Sequence, residues 1–195
     1  MKRLFLALSV EHELAQRLAR VASQFERECG PLAPHAAEDL HLTLSFLGEI
    51  ADEDVAGVVS SANEELRGLR APELELTGAL DLLPSRTPDP RALAALVQET
   101  DGGARLSALR NRAQQVGLSR RCPGHRADRR REFRPHVTLA RLLGAPPAPF
   151  EGLDSGLERA WTGSEVVLFQ SIPGRVEGGR RYEALTSWHL AVDPG

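Results

Sequence analysis

The sequence predicts an α+β fold built mainly from antiparallel β-sheet. Three observations carry that expectation. Short strand patterns are joined by single helical stretches or by hairpin-like turns, without the strict strand–helix alternation of a parallel sheet. A stretch at 40–44, Leu-His-Leu-Thr-Leu, returns at 135–139 as Pro-His-Val-Thr-Leu. Finally, 195 residues with 42% apolar and 26% charged content suit one domain with a sizeable core, or one domain in two lobes.

In chain order, residues 3–9 alternate and are apolar-rich, so they predict a strand. Residues 11–27 have helical spacing, with Leu14, Leu18, Val21 and Phe25 at steps of four, three and four, and Gly30, Pro31 and Pro34 ending the helix. Residues 40–47 read as a strand. Asp52 is the expected N-cap of a second helix reaching about residue 69, with Val55, Val58 and Val59 inward. Residues 74–79 and 92–97 are strands either side of a proline-rich loop at 84–90. Gly102 and Gly103 precede a helix at 104–116, and 120–134 is an arginine-rich loop. Strands at 135–142, 165–171 and 182–192 complete the chain, the last two joined by a Gly-rich turn.

Composition narrows the function classes. Net charge is −3, so any nucleic-acid site is local rather than a property of the whole surface. Two cysteines, Cys29 and Cys122, make no disulfide framework, and a reduced, cytoplasmic compartment is expected. The opening apolar run is too short for a signal peptide, and no stretch approaches the roughly 20 apolar residues of a bilayer span. A monomer is the default expectation.

The twin motif carries the chemistry. By chance, one His-x-Thr-Leu is expected about 0.03 times in a chain of this composition, so two are improbable as accident. On a strand, residues two apart share a face. His41 and Thr43 therefore lie together, with Leu40, Leu42, Leu44 and Phe46 opposite; His136 and Thr138 lie together, with Val137 and Leu139 opposite. Each strand anchors one face in a core and offers an imidazole beside a hydroxyl on the other. In-line displacement at a cyclic phosphate needs a base for water and an acid for the leaving oxygen. Imidazole suits both tasks, and threonine hydroxyls can donate to the non-bridging oxygens. No carboxylate cluster calls for a metal, and no cofactor motif is present. The near symmetry of the motifs leaves acid and base unordered at this level.

These blocks resemble the two-histidine (2H) phosphoesterase superfamily, and within it the RNA 2′,3′-cyclic phosphodiesterase group, also called 2′-5′ RNA ligase-like. The likeness rests on RLFLALSV, AAEDLHLTLSFLGEI, FRPHVTLAR and GRRYEALTSWHLA, in that order along nearly the whole chain. It implies a single bilobal domain over 1–195, pseudo-two-fold, with two antiparallel sheets facing across a central cleft and helices outside. Each lobe would carry one motif, at 41–44 and 136–139. It implies metal-independent hydrolysis of an RNA 2′,3′-cyclic phosphate end to a 2′-phosphate, with His41 as proton donor and His136 as proton acceptor. Thr43, Thr138 and Arg141 would bind the phosphate. Simple alternation, however, puts Arg141 on the Leu139 face, so a bulge or strand end would have to turn it inward. The implied alternatives are ligation in the reverse direction, a phosphodiesterase for small cyclic nucleotides, and a module that binds RNA ends without turnover.

The arginine-rich loop supplies further candidates. Arg130, Arg131 and Arg134 lead into the second motif and could track the RNA backbone; a solvated surface loop is the equally weighted alternative. Cys122 and His125 have metal-like spacing but no second pair. His12, His35 and His189 read as structural or surface residues. Phe133, Tyr182 and Trp188 could stack on a base, with core packing favoured for Trp188.

Overall fold

The computed structural model describes residues 1–29, 31–84, 90–100, 102, 104–124, 133–144, 154–173 and 180–193. The loop at 84–90 and the turn before residue 180 lie largely outside this set, as do His125, Arg126, Arg129, Arg130 and Arg131.

The elements run β1 (Lys2–Ser9), α1 (His12–Cys29), β2 (Leu32–Pro34), β3 (His41–Ile50), α2 (Val55–Glu65), β4 (Glu73–Leu83), β5 (Ala92–Glu99), α3 (Arg105–Ser119), β6 (His136–Leu142), β7 (Asp154–Thr162), β8 (Glu165–Ser171) and β9 (Tyr182–His189). Strand order is β7-β4-β5-β6-β3-β1-β8-β9, with β2 pairing β6, and every pairing between these strands is antiparallel. Two four-stranded halves thus meet at the two motif strands, which share one register pair, Leu42↔Val137, and β2 adds three pairs along the end of β6. Outward from that seam the halves read β3-β1-β8-β9 and β6-β5-β4-β7, and each contains strand, helix, motif strand: β1-α1-β3 and β5-α3-β6. This is the predicted α+β class.

The core lies on one face. Leu4, Leu6 and Leu8 of β1, Leu42 and Leu44 of β3, Val137 and Leu139 of β6 and Leu14, Leu18 and Phe25 of α1 are buried in one cluster. α1 packs on β2 and β6, and α3 on β3, so each helix covers the other half's motif strand. A second, smaller cluster fills the opposite face of β1 and β8: Phe5, Ala7, Val167 and Phe169, with Tyr182 against it.

Three local expectations are corrected. Asp52 does not cap α2: Asp52–Asp54 form a 3-10 turn without a side-chain cap, and α2 stops at Glu65. The Asp52 carboxylate instead faces the N-terminal amine at 3.4 Å. The two strands that sequence patterning does not reveal, β2 and β7, owe their existence to partners. β2 is three residues bonded to the end of β6, and β7 lies along β4 from Glu73↔Thr162 to Ala79↔Asp154. Such pairing overrides weak strand propensity. Phe46 does not join the Leu42 face. Leu44 is an extra residue between the pairs Leu6↔Ser45 and Ala7↔Thr43, a β-bulge that shifts alternation. Phe46 pairs with Phe5, its ring 6.0 Å from Phe5, and is 48% exposed.

One close approach needs glycine on both sides. Gly48 has φ of 85°, and a Cβ there would lie 2.7 Å from the Gly124 nitrogen. Gly124 in turn donates its N–H to the Leu47 carbonyl at 2.9 Å. This fastens the start of the arginine-rich segment to the outer end of β3.

Candidate active site

The two motif strands cross with Leu42 and Val137 paired and fully buried, so His41, Thr43, His136 and Thr138 all belong to the other, concave face. Two imidazoles and two hydroxyls thus share one face at the seam.

Both imidazoles are fixed the same way. His41 Nδ1 donates to the Asp39 carbonyl at 2.7 Å, and His136 Nδ1 donates to the Arg134 carbonyl at 2.7 Å. A carbonyl can only accept, so each Nδ1 keeps its proton and Nε2 is the titrating atom. The repeated spacing, a carbonyl two residues before each histidine, is a geometric echo that side-chain patterns do not reveal.

Their environments differ. His41 is buried, its ring 4.8 Å from Phe5, 5.5 Å from Phe169 and 5.1 Å from Tyr182, the last edge-on. Burial is the main reason its pKa falls to about 4; the Asp39 carbonyl opposes the fall and a charge on His136 adds to it. That repulsion also marks the two rings as electrostatic neighbours. His136 is less enclosed. Its pKa is also lowered, first by burial; the Arg134 carbonyl opposes this, the Arg134 charge adds to it and Asp81 opposes it.

Asp39, which no sequence motif singles out, ties this corner together. It is 1% exposed, and its carboxylate accepts the Arg181 N–H at 2.7 Å and the Tyr182 N–H at 3.3 Å. Burial raises its pKa against the lowering effect of those two amides and of Arg180 and Arg181. One residue therefore orients His41 through its carbonyl and the start of β9 through its side chain. Tyr182, considered for base stacking, sits edge-on to His41 and stacked on His35 at 5.9 Å. His35 is buried within this corner.

The arginines divide. Leu139 is an extra residue between the pairs Ala94↔Thr138 and Leu93↔Ala140, and Arg141 then pairs with Ala92. Ala92 and Ala94 share a face of β5, so the bulge brings Arg141 onto the Thr138 face, against simple alternation. Arg141 is exposed and lines a cleft of about 540 Å3 with Arg3 and Arg181. Arg134 forms an ion pair with Asp81 at 2.9 Å, and Asp81 lies in the same cross-strand row as Thr138. Arg130 and Arg131 lie outside the described residues.

The remaining candidates fall elsewhere. Trp188 packs on the main core and donates its indole N–H to Asn63 at 2.6 Å. Phe133 packs against the same core beneath the Arg110 guanidinium, 4.4 Å from its centroid. Cys122 is buried, which pushes its thiol pKa up. His12 is hydrogen-bonded to Gln16 on the exposed side of α1, and His189 is exposed. Among the described residues no three His, Cys, Asp or Glu side chains stand together as a metal would need. No helix among them is long and apolar enough to cross a membrane.

Known proteins share this architecture. The crystal structure of TT0787 from Thermus thermophilus has a TM-score of 0.74 to this chain at 24% identity, covering 96% of this chain and 97% of its own, a likeness of fold. A family model described as LigT like Phosphoesterase matches residues 8–94. Two curated relatives are each named RNA 2′,3′-cyclic phosphodiesterase. The one from Escherichia coli (strain K12) is 29% identical over 202 residues, spanning 97% of each chain. The one from Aeropyrum pernix is 30% identical over 135 residues, 68% of this chain and 70% of its own. Fold and sequence together define a phosphoesterase. The chain belongs to the LigT-like phosphoesterase family of the two-histidine superfamily.

Proposed function

We propose that the protein hydrolyses the 2′,3′-cyclic phosphate at an RNA end to a 2′-phosphate, by general acid/base catalysis that uses two histidines and no metal. The observation that carries this reading is the matched pair of imidazoles on one concave face. Each has Nδ1 spent on a backbone carbonyl, which leaves Nε2 to move a proton. The names of the relatives supply the substrate class.

In the proposed step, His136 Nε2 takes a proton from water as the water oxygen bonds to phosphorus. The bond from phosphorus to the 3′-oxygen breaks on the opposite side, and His41 Nε2 gives its proton to that oxygen. The products are a 2′-phosphate and a free 3′-hydroxyl, and solvent resets the two rings. Thr43, Thr138 and Arg141 hold the non-bridging oxygens, where negative charge grows.

Burial sets a condition on this order of roles. An imidazole held at about 4 is neutral at pH 7, so His41 becomes a donor only when the anionic phosphate binds beside it and draws a proton in. His41 is therefore expected to titrate higher in the phosphate-bound protein.

The reading is tested with an oligoribonucleotide ending in 2′,3′-cyclic phosphate, incubated with the protein in EDTA. Opening to the 2′-phosphate is the expected result. Binding without opening would identify an RNA-end binding module instead, and a 3′-phosphate product would reverse the leaving group.

A further inference from the structure

We propose that the cleft at the Arg3 end of β1, walled on one side by Arg141, is a subsite for the phosphodiester one nucleotide upstream of the RNA end. The favoured substrate is then an RNA of two or more nucleotides, not a mononucleotide. This rests on the cyclic phosphodiesterase reading above and extends it to the next linkage.

The cleft is lined by Lys2, Arg3, Arg141 and Arg181, with Glu49 and Ser171 among its other residues. Four cations against one carboxylate make a local positive field in a chain of net charge −3. Arg3 and Arg141 are exposed, and neither forms an ion pair among the described residues. Glu49 is the cross-strand partner of Arg3 yet makes no ion pair with it, so the guanidinium is not spent on its neighbour.

Three residues of the cleft's lining connect it to the histidine site. Arg3 shares the β1 face of Phe5, whose ring meets His41 at 4.8 Å. Arg181 precedes Tyr182, whose ring is edge-on to His41 at 5.1 Å. Arg141 shares the Thr138 face because of the Leu139 bulge. Ser171 lies among them, pairing with Arg3 on one side and Tyr182 on the other. A mononucleotide places its single phosphate between the histidines and against Arg141, the wall that the two sites share, and leaves the Lys2–Arg3 side of the cleft empty. A longer RNA carries a second anion whose two non-bridging oxygens fit the guanidinium fork.

The experiment compares kcat/KM for three substrates: a mononucleoside 2′,3′-cyclic phosphate, a dinucleotide with the same end, and that dinucleotide with its internal linkage replaced by an uncharged methylphosphonate. The natural dinucleotide is expected to exceed the mononucleotide by about tenfold, and the methylphosphonate to lose that advantage. Arg3→Gln is expected to reduce the dinucleotide-to-mononucleotide ratio several-fold and to flatten the salt dependence for the dinucleotide. Equal kcat/KM on all three substrates would overturn the subsite and leave the cyclic phosphodiesterase reading standing. An unchanged ratio in Arg3→Gln would do the same. Failure to open the ring on any of the three would overturn both.

Discussion

At the residue scale, the site depends on two imidazoles whose shared anchoring hides unequal surroundings. Replacing either His41 or His136 by Ala is expected to lower the ring-opening rate by at least about 10²-fold, the usual scale for losing a general acid or base. Rates within threefold of the parent in either variant would remove that histidine from the mechanism. His41 also links the site to stability. Its folded pKa lies below the ordinary 6.5, so the unfolded chain takes up a proton first as pH falls. The stability it contributes is complete above about 6.5 and is lost as pH falls towards 4, an effect of about 3 kcal/mol. Thermal unfolding from pH 7 to 4 should accordingly show a smaller loss of Tm in His41→Gln than in the parent. NMR titration of His41 with and without inorganic phosphate measures the rise that the donor role requires; no rise would exchange the two roles.

Bulges govern the element scale. Leu44 in β3 and Leu139 in β6 each insert one residue, and each turns a later side chain of its strand to the concave face: Phe46 in one strand, Arg141 in the other. Arg141→Gln keeps the bulge and removes the guanidinium that it presents beside Thr138. A large rise in KM is expected, since a phosphate ligand is withdrawn while the histidines stay. Asp39 works between elements, holding β9 to the turn before β3. Asp39→Ala leaves the Arg181 and Tyr182 amides without their acceptor, a cost of about 1–3 kcal/mol for each amide left buried. A denaturation midpoint equal to the parent's would show that water replaces the carboxylate there.

The whole molecule is two strand–helix–strand units joined by one register pair between the motif strands and by the short β2 along the end of β6, each unit bringing one His-x-Thr motif. Because each half's helix packs on the other half's motif strand, the seam is braced from behind although the two motif strands share a single register pair. The concave face gathers its arginines at one end, giving a local field that net charge conceals. RNA-end turnover should therefore weaken as salt rises, with log(kcat/KM) falling against log[salt] more steeply for longer substrates. EDTA should leave the rate unchanged if the histidines supply both proton transfers, and loss of activity that added metal restores would contradict the proposed mechanism.

The sequence alone determined much of this architecture. Among the described residues, period-two and helical spacings located seven of the nine strands and the three α-helices, because those segments carry their apolar residues in their own order. The doubled His-x-Thr named four candidate site residues and the face they share, because a strand's alternation fixes which neighbours lie together. Tertiary structure decided the rest. β2 and β7 exist through pairing with distant strands, the side taken by Phe46 and Arg141 depends on bulges that only a partner strand defines, and Asp39 matters through a contact 142 positions away. Local order in the chain encodes periodicity; it does not encode which carbonyl, amide or strand edge will be across from it once the sheet has curled.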